Sequence, residues 1–224
     1  LWSMIIAIPL GIYFGVLSAV KRNKLPDHLS RVFALSGVSM PIFWLGLLLI
    51  LIFYTYLGVL PASGRGMEPE HVYTGLYILD SILSLDFYAF IDNIRHIILP
   101  AIALSYAYLA VIMRMTRSSM LEVLRLDYIK TARAKGLPNK IVIYRHALRN
   151  ALIPTLTISG LSFAWLLGGA VLTETIFSWP GMGRYAYAAI TSVDFPAIVG
   201  FTFLMAIIFV IVNLIVDILY AYLD

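Results

Sequence analysis

The chain has 224 residues, of which 61% are hydrophobic and only 12% charged, and its mean hydropathy is +0.91. Soluble domains carry about a quarter of their residues as Asp, Glu, Lys and Arg, so this composition excludes an ordinary soluble fold and points to an integral membrane protein. There is no cysteine, which excludes disulfides and thiolate metal sites. The net charge of +4 is gathered in two loops, a distribution that suits a topology signal better than a nucleic-acid surface.

Crossing a hydrocarbon layer of about 30 Å takes roughly 20 mostly apolar residues in a helix. Five stretches qualify: 1–20, 32–57, 97–113, 151–172 and 197–220. The third is short and is expected to extend into its flanks. Pro9, Pro41, Pro100 and Pro154 fall inside or near the ends of four of them. Neighbouring helices can re-satisfy the backbone groups such prolines free, and both a packing and a hinge role stay open. Leu1 lies within an apolar run with no charged region before it, unlike a signal peptide. The sequence is therefore expected to start part-way through a longer protein.

Lys and Arg in the loops set the orientation. The loop after the first stretch has Lys21, Arg22, Lys24 and Arg31, and the segment 114–150 holds nine more, making thirteen on one side. The other side has three: Arg65 and Arg95 beside Glu68, Glu70, Asp80, Asp86 and Asp92, and Arg184 beside Glu174 and Asp194. The segment 114–150 and Asp224 are thus expected in the cytoplasm and Leu1 outside, with a further span before it. In the outer loop 58–96, the LPASGRGMEPE portion is turn-rich. The following VYTGLYILDSILSLDFYAFIDNIRH is amphipathic and is expected along the outer interface. FSWPGMGRYAYAAI reads as a turn at 180–183 followed by a short helix.

The segment 114–150 is the one long polar stretch. Leu121, Leu124, Tyr128 and Ala132 recur at steps of three and four and share a helix face, while Arg125, Ile129 and Arg133 line another. The pattern stops at Gly136, with Pro138 two residues on, as at a left-handed helix end. Asn139 is placed to cap a second helix through Ile141, Tyr144, Leu148 and Leu152 toward Pro154. The spacing predicts a helix, a sharp Gly turn and a second helix just outside the membrane.

Catalytic patterns are missing. His28, His71, His96 and His146 are never paired at i+3 or i+4, which disfavours a zinc hydrolase. His71 and His96 share the acidic outer loop; they are expected as solvated or interfacial histidines, with a shared metal as the alternative reading. Ser159-Gly160 is similar to an intramembrane protease serine, but such a serine needs a histidine base, and none follows His146. There is no pair of intramembrane aspartates and no GxxxxGK[ST] loop. Asp217 is the one acid within a span, with Asn213 four residues earlier on the same face. A structural ion pair near the cytoplasmic end and a gating role in a transport path are the two readings.

The run DYIKTARAKGLPNKIVIYRHALRNALIPTL strongly resembles the cytoplasmic "EAA" loop of binding-protein-dependent ATP-binding cassette importers. More narrowly, it is similar to the B-type permease subunit of the dipeptide, oligopeptide and nickel group. SMPIFWLGLLLI (39–50), RHIILPAIAL (95–104), LGGAVLTETIFSWPGMGR (167–184) and NLIVDILYAYLD (213–224) fit the same family in order, so the resemblance covers essentially the whole chain. The Glu-Ala-Ala positions read Lys130, Thr131 and Ala132, without the glutamate, and the spacing from Gly136 to Pro154 is longer than in sugar and amino-acid importers. Both departures are usual in the peptide-type subgroup.

The resemblance implies an all-α, polytopic transmembrane bundle of the importer-permease (MetI-like) fold. Six spans are expected in the full protein, five of them in a single permease domain over 1–224. It implies a transport subunit in the inner (cytoplasmic) membrane and not an enzyme, which binds no cofactor itself, ATP and Mg residing on two partner ATPases. A second permease and an extracytoplasmic binding protein complete the expected partners. Small residues permit close approach, so Ala132, Ala134, Gly136 and Leu137 are expected to form the ATPase-coupling seat, with Arg133, Lys135 and Arg145 adding charge. Anchoring of the basic loop to anionic headgroups is the alternative reading. Peptide is the first substrate expected, then oligosaccharide or nickel. A membrane-embedded enzyme and an assembly protein are the rivals from other classes.

Overall fold

A computed structural model describes residues 1–168 and 170–223, the last two of these by backbone alone. Gly169 and Asp224, whose cytoplasmic placement the loop charges predict, lie outside the described residues. Every regular element among those described is helical. Two helices form the spine: α1 (Trp2–Val20) and α5 (Phe87–Val123). Along α1, Ser3, Ala7, Gly11, Gly15 and Ser18 are buried at helical steps, a small-residue stripe of the kind that lets helix backbones approach closely. At Gly15 the approach is so close that a Cβ would stand 2.6 Å from the Thr116 side chain and 2.8 Å from the Met113 carbonyl oxygen.

The second apolar stretch is not one straight span. It divides into α2 (Leu25–Ser39) and α3 (Ile42–Leu49), the latter continuing as a π-type turn (Ile50–Tyr56), and the two halves are bent by 102°. The cause is local. A proline drives the residue before it out of the helical region, and Met40 is extended at φ −83°, ψ 123°. Pro9, Pro100 and Pro154 lie inside helices that continue past them.

In the outer segment, α4 (Tyr77–Leu83) is followed at once by α5, so 87–96 form the first turns of a long helix. The expected short third span is part of this 37-residue helix, about 55 Å long. Beyond a break, α6 (Asp127–Ala134) lies on the basic side. Then α7 (Asn139–Ile141), a π-type turn (Val142–Ala147) and α8 (Leu148–Leu167) run on as one 29-residue span. Two short helices, α9 (Val171–Ile176) and α10 (Met182–Thr191), lead to α11 (Phe195–Leu223). Among the described residues, four helices are long and apolar enough to cross a membrane, five if the bent pair is counted as one.

The core is layered along the bundle. Leu99, Ala103 and Phe177 form the outer layer. Met4, Ala7, Ala34, Leu109, Ile112 and Met113 form the middle one. On the basic side, Val16, Ala19, Met120, Val123, Ile129, Ala132, Val142, Ala147 and Ala151 knit α1, α5, α6 and the α7–α8 helix into one cluster.

Candidate functional site

The basic-side cluster is the foundation of the segment expected to couple to the ATPases. Its first helix is not the single unit that the 121–132 periodicity predicts. α5 ends at Val123, Leu126 is extended (φ −69°, ψ 151°), and α6 starts afresh at Asp127. An acid in a helix's first turn complements the exposed N–H groups there, and Asp127 also takes a 2.8 Å ion pair from Lys130. The restart changes the phase. Ile129 and Ala132, one turn apart, are the buried pair, while Tyr128 sits at the exposed edge, its hydroxyl accepting from Asn150 Nδ2 at 2.7 Å.

The end of α6 matches expectation. Gly136 is left-handed at φ +76°. Its N–H donates to the Arg133 carbonyl at 2.9 Å, and the Leu137 N–H to the Ala132 carbonyl at 3.4 Å. This is the paired bond pattern of a Schellman motif, in which a glycine without a Cβ takes the strained position. Pro138, not Asn139, is the residue before the next helix, and Asn139 makes no capping bond.

Of the four residues expected to form the seat and the three expected to add charge, six are exposed: Arg133, Ala134, Lys135, Gly136, Leu137 and Arg145. Ala132 lies inward, 8% exposed, in the basic-side cluster, where its small side chain lets α6 approach the π-type turn. The seat is an exposed small-and-basic edge on a buried base.

A second constellation was not singled out from sequence. Asp27 is completely buried, and its carboxylate accepts from Ser18 Oγ at 2.6 Å, the Asn23 N–H at 2.9 Å, Arg117 Nε at 2.8 Å and Arg117 Nη2 at 3.1 Å. The fork-like pair ties α1, α2 and α5 together beside the coupling segment. The available signal was that Asp27 is the lone acid among four basic residues of the first loop; its partner, 90 positions away, left none.

Several of the other polar residues are held by local contacts. Ser159 donates to the Thr155 carbonyl at 2.8 Å. His96 Nδ1 lies 2.9 Å from the Asp92 carbonyl and His71 lies against Tyr73. Among the described residues, no three metal-ligating side chains cluster. Asp217 is exposed on α11 and the expected ion pair is not formed among the described residues, while Asn213 is half-buried. On the outer side, Glu174 accepts from the Arg184 N–H at 2.7 Å, fixing the start of α10. Asp80, fully buried, takes the Thr74 N–H and hydroxyl at 2.8 and 2.7 Å and the Gly75 N–H at 2.9 Å. Burial alone would raise its carboxyl, but these bonds, with one from the Tyr73 backbone, hold it below the ordinary carboxylate range.

An apolar bundle of helices long enough to cross a membrane, bearing a basic helix–turn–helix on one face, defines a polytopic membrane protein. The chain belongs to the family described as binding-protein-dependent transport system inner membrane component, whose model matches residues 7–224. It is 54% identical over 226 residues to the dipeptide transport system permease protein of Alkalihalophilus pseudofirmus, covering all of this chain and 68% of that protein. It is 51% identical over 223 residues to the di/tripeptide transport system permease protein of Pseudomonas aeruginosa, covering 97% of this chain and 66% of the relative. To the probable D,D-dipeptide transport system permease protein of Escherichia coli it is 46% identical over 225 residues, covering 99% and 66%. The chain thus spans about two thirds of the length of these relatives. The likeness to importer permeases carried by the five sequence stretches is a likeness to this family, an all-helical membrane fold.

Proposed function

We propose that the chain is the permease domain of an ATP-driven importer of di- or oligopeptides, and that 127–145 is the segment through which partner ATPases move it. The observation that carries this reading is the glycine-turned α6. It exposes Arg133, Ala134, Lys135, Gly136 and Leu137 while Ile129 and Ala132 anchor it in the cluster shared by α1, α5 and α8. A helix so held moves as a rigid body with what it is packed on. When two ATPases close on ATP, a displacement of α6 passes into the spans and tilts them between inward-open and outward-open states. ATP and Mg stay on the ATPases, and this chain contributes position and charge.

The peptide reading is supported by relatives whose names specify dipeptide, di/tripeptide and D,D-dipeptide transport. An extracytoplasmic binding protein would deliver the substrate to the outer loops, and a second permease would complete the path. α11 fits that pairing. Its apolar side chains face outward almost throughout, including Val199, Phe203, Val210, Leu214 and Ile218, and the unpaired Asp217 stands among them. A carboxylate toward lipid is costly, so a second subunit covering Asn213 and Asp217 gives them a structural or gating contact.

The test is purification of the tagged full-length protein in mild detergent, with co-purifying chains identified by mass, followed by reconstitution with peptide, oligosaccharide and nickel as competing substrates. Recovery of a second permease and ATPases, with ATP-dependent uptake of peptide only, is expected. Recovery alone even after cross-linking refutes the importer reading; uptake of oligosaccharide or nickel refutes the substrate.

A further inference from the structure

Between the basic-side ends of α2 and α5 lies an open groove of about 350 Å³, separate from the coupling turn. By the liquid volume of water it has room for about ten molecules, enough for a phosphate with its glycerol. Its lining changes character along the helix axes. Nearest the basic side stand Ser30, Arg31, Arg114, Arg117 and Ser118. One to two turns further along α2 the wall is Ala34, Leu35 and Val38, ending at Ser39, with Met113 facing it from α5 beside Arg114. Leu35 and Val38 are 65% and 50% exposed on the bundle's outside, so the apolar end opens toward the hydrocarbon layer.

The charges at the polar end do not balance. Arg117 is taken up by Asp27 at 2.8 Å, and Arg31 reaches the same carboxylate only at 3.9 Å, its Nη2 lying 2.7 Å from His28 Nδ1. Arg114 is exposed, and neither it nor Ser30 or Ser118 has a hydrogen bond or ion pair among the described residues. One carboxylate facing three guanidiniums leaves two positive charges over, with unused hydroxyls between them.

We infer that this groove binds the headgroup of an anionic phospholipid from the basic-side leaflet. Its phosphate is held between Arg31 and Arg114 and an acyl chain lies along Leu35 and Val38. A free phosphate would satisfy the arginines but has no use for the apolar end; a lipid matches both ends in the order they occur. The site lies between the two helices flanking Asp27, so an occupied groove braces α2 against α5. This inference holds whatever the transported substrate.

The test uses the full-length protein in its purified assembly, with phosphatidylglycerol as the probe and native mass spectrometry as the readout. A photoactivatable phosphatidylglycerol on the unmodified protein is expected to cross-link to peptides 30–39 and 113–118. Arg31→Gln with Arg114→Gln is expected to weaken retention about 30-fold, since each basic residue near an anionic surface contributes a factor of about five. The corresponding pair of Lys substitutions and Arg22→Gln, which lies off the groove, should retain it. Cross-links elsewhere, equal retention of phosphatidylcholine, displacement by inorganic phosphate, or undiminished retention in the double Gln variant would each overturn the assignment. Should the double variant not fold, the cross-link on the unmodified protein still decides.

Discussion

Asp27 shows what a single residue can do in a membrane protein with few charges. Its carboxylate is the meeting point of α1, α2 and α5, and breaking one side of a buried pair leaves the other charge uncompensated, at a cost of about 3–5 kcal/mol. Asp27→Ala is therefore expected to lower the thermal unfolding temperature in detergent sharply. Adding Arg117→Leu to it should recover part of the loss, because it removes the stranded guanidinium. Arg117→Lys should not substitute for Arg, since an ammonium cannot make the two-pronged contact. The sequence shows the lone acid but not its distant partner, so the pair was invisible to periodicity. Asp80 gives a pH dependence of known sign. Its folded pKa is depressed, so the stability it contributes is present above the unfolded value near 3.9 and is lost as the pH falls through the folded one. Protease resistance of 65–85 should be level from pH 7 to 5, then drop below about pH 4; Asp80→Asn should be weak at all pH values.

At the scale of the element, α6 was half legible. Its end was, because Gly and Pro act through local backbone sterics that need no tertiary context. Its beginning was not: Leu124, Arg125 and Leu126 are all helix-compatible, and only docking of Ile129 and Ala132 into the basic-side cluster selects a break before Asp127. The same logic holds at Met40-Pro41, where the local signal was present but apolarity on both sides masked it. A Cβ at Gly136 meets nothing within 4 Å, so the cost of replacing it is purely one of backbone. Gly136→Val should destabilise the turn by about 1–2 kcal/mol, speed hydrogen exchange at 133–139, and reduce peptide uptake per ATP hydrolysed. Gly136→Asn, which tolerates the left-handed region, should retain most coupling; equal behaviour of the two would separate the turn's geometry from its function. In α1, by contrast, Gly15→Val must push against the Met113 backbone, and about 1–3 kcal/mol of overpacking is expected, read as lost thermal stability.

For the whole molecule, class and topology were the most legible features, because a bilayer imposes length and charge rules that act on composition directly. The absence of cysteine makes orientation simple to check. Lys140→Cys should react with a membrane-impermeant maleimide in inverted vesicles alone, and Ser178→Cys in right-side-out vesicles alone. Reaction of both from one side would overturn the placement of 127–145 and the Ser178 turn on opposite faces, and the swapped pattern would put 127–145 outside. What composition could not show is how the helices are layered, and that α11 remains almost uncovered by its own chain.

The uninterrupted helix from Asn139 to Leu167 has a mechanical consequence. At 29 residues it is a rod of about 43 Å, with one end beside the coupling turn and the other in the outer half of the bundle. Under the transport role proposed above, such a rod, packed against α5 and α11, would act as a seesaw. A tilt of about 10° would carry its two ends several ångströms in opposite directions, given that length. Widening below and narrowing above would then be one movement, and no separate latch on the far side would have to be informed. Its compliance is confined to the π-type turn and to Pro154, where Thr155, Thr157 and Ser159 bond back to the preceding turn. Stiffness elsewhere along the rod is what would keep the stroke from being lost in transit.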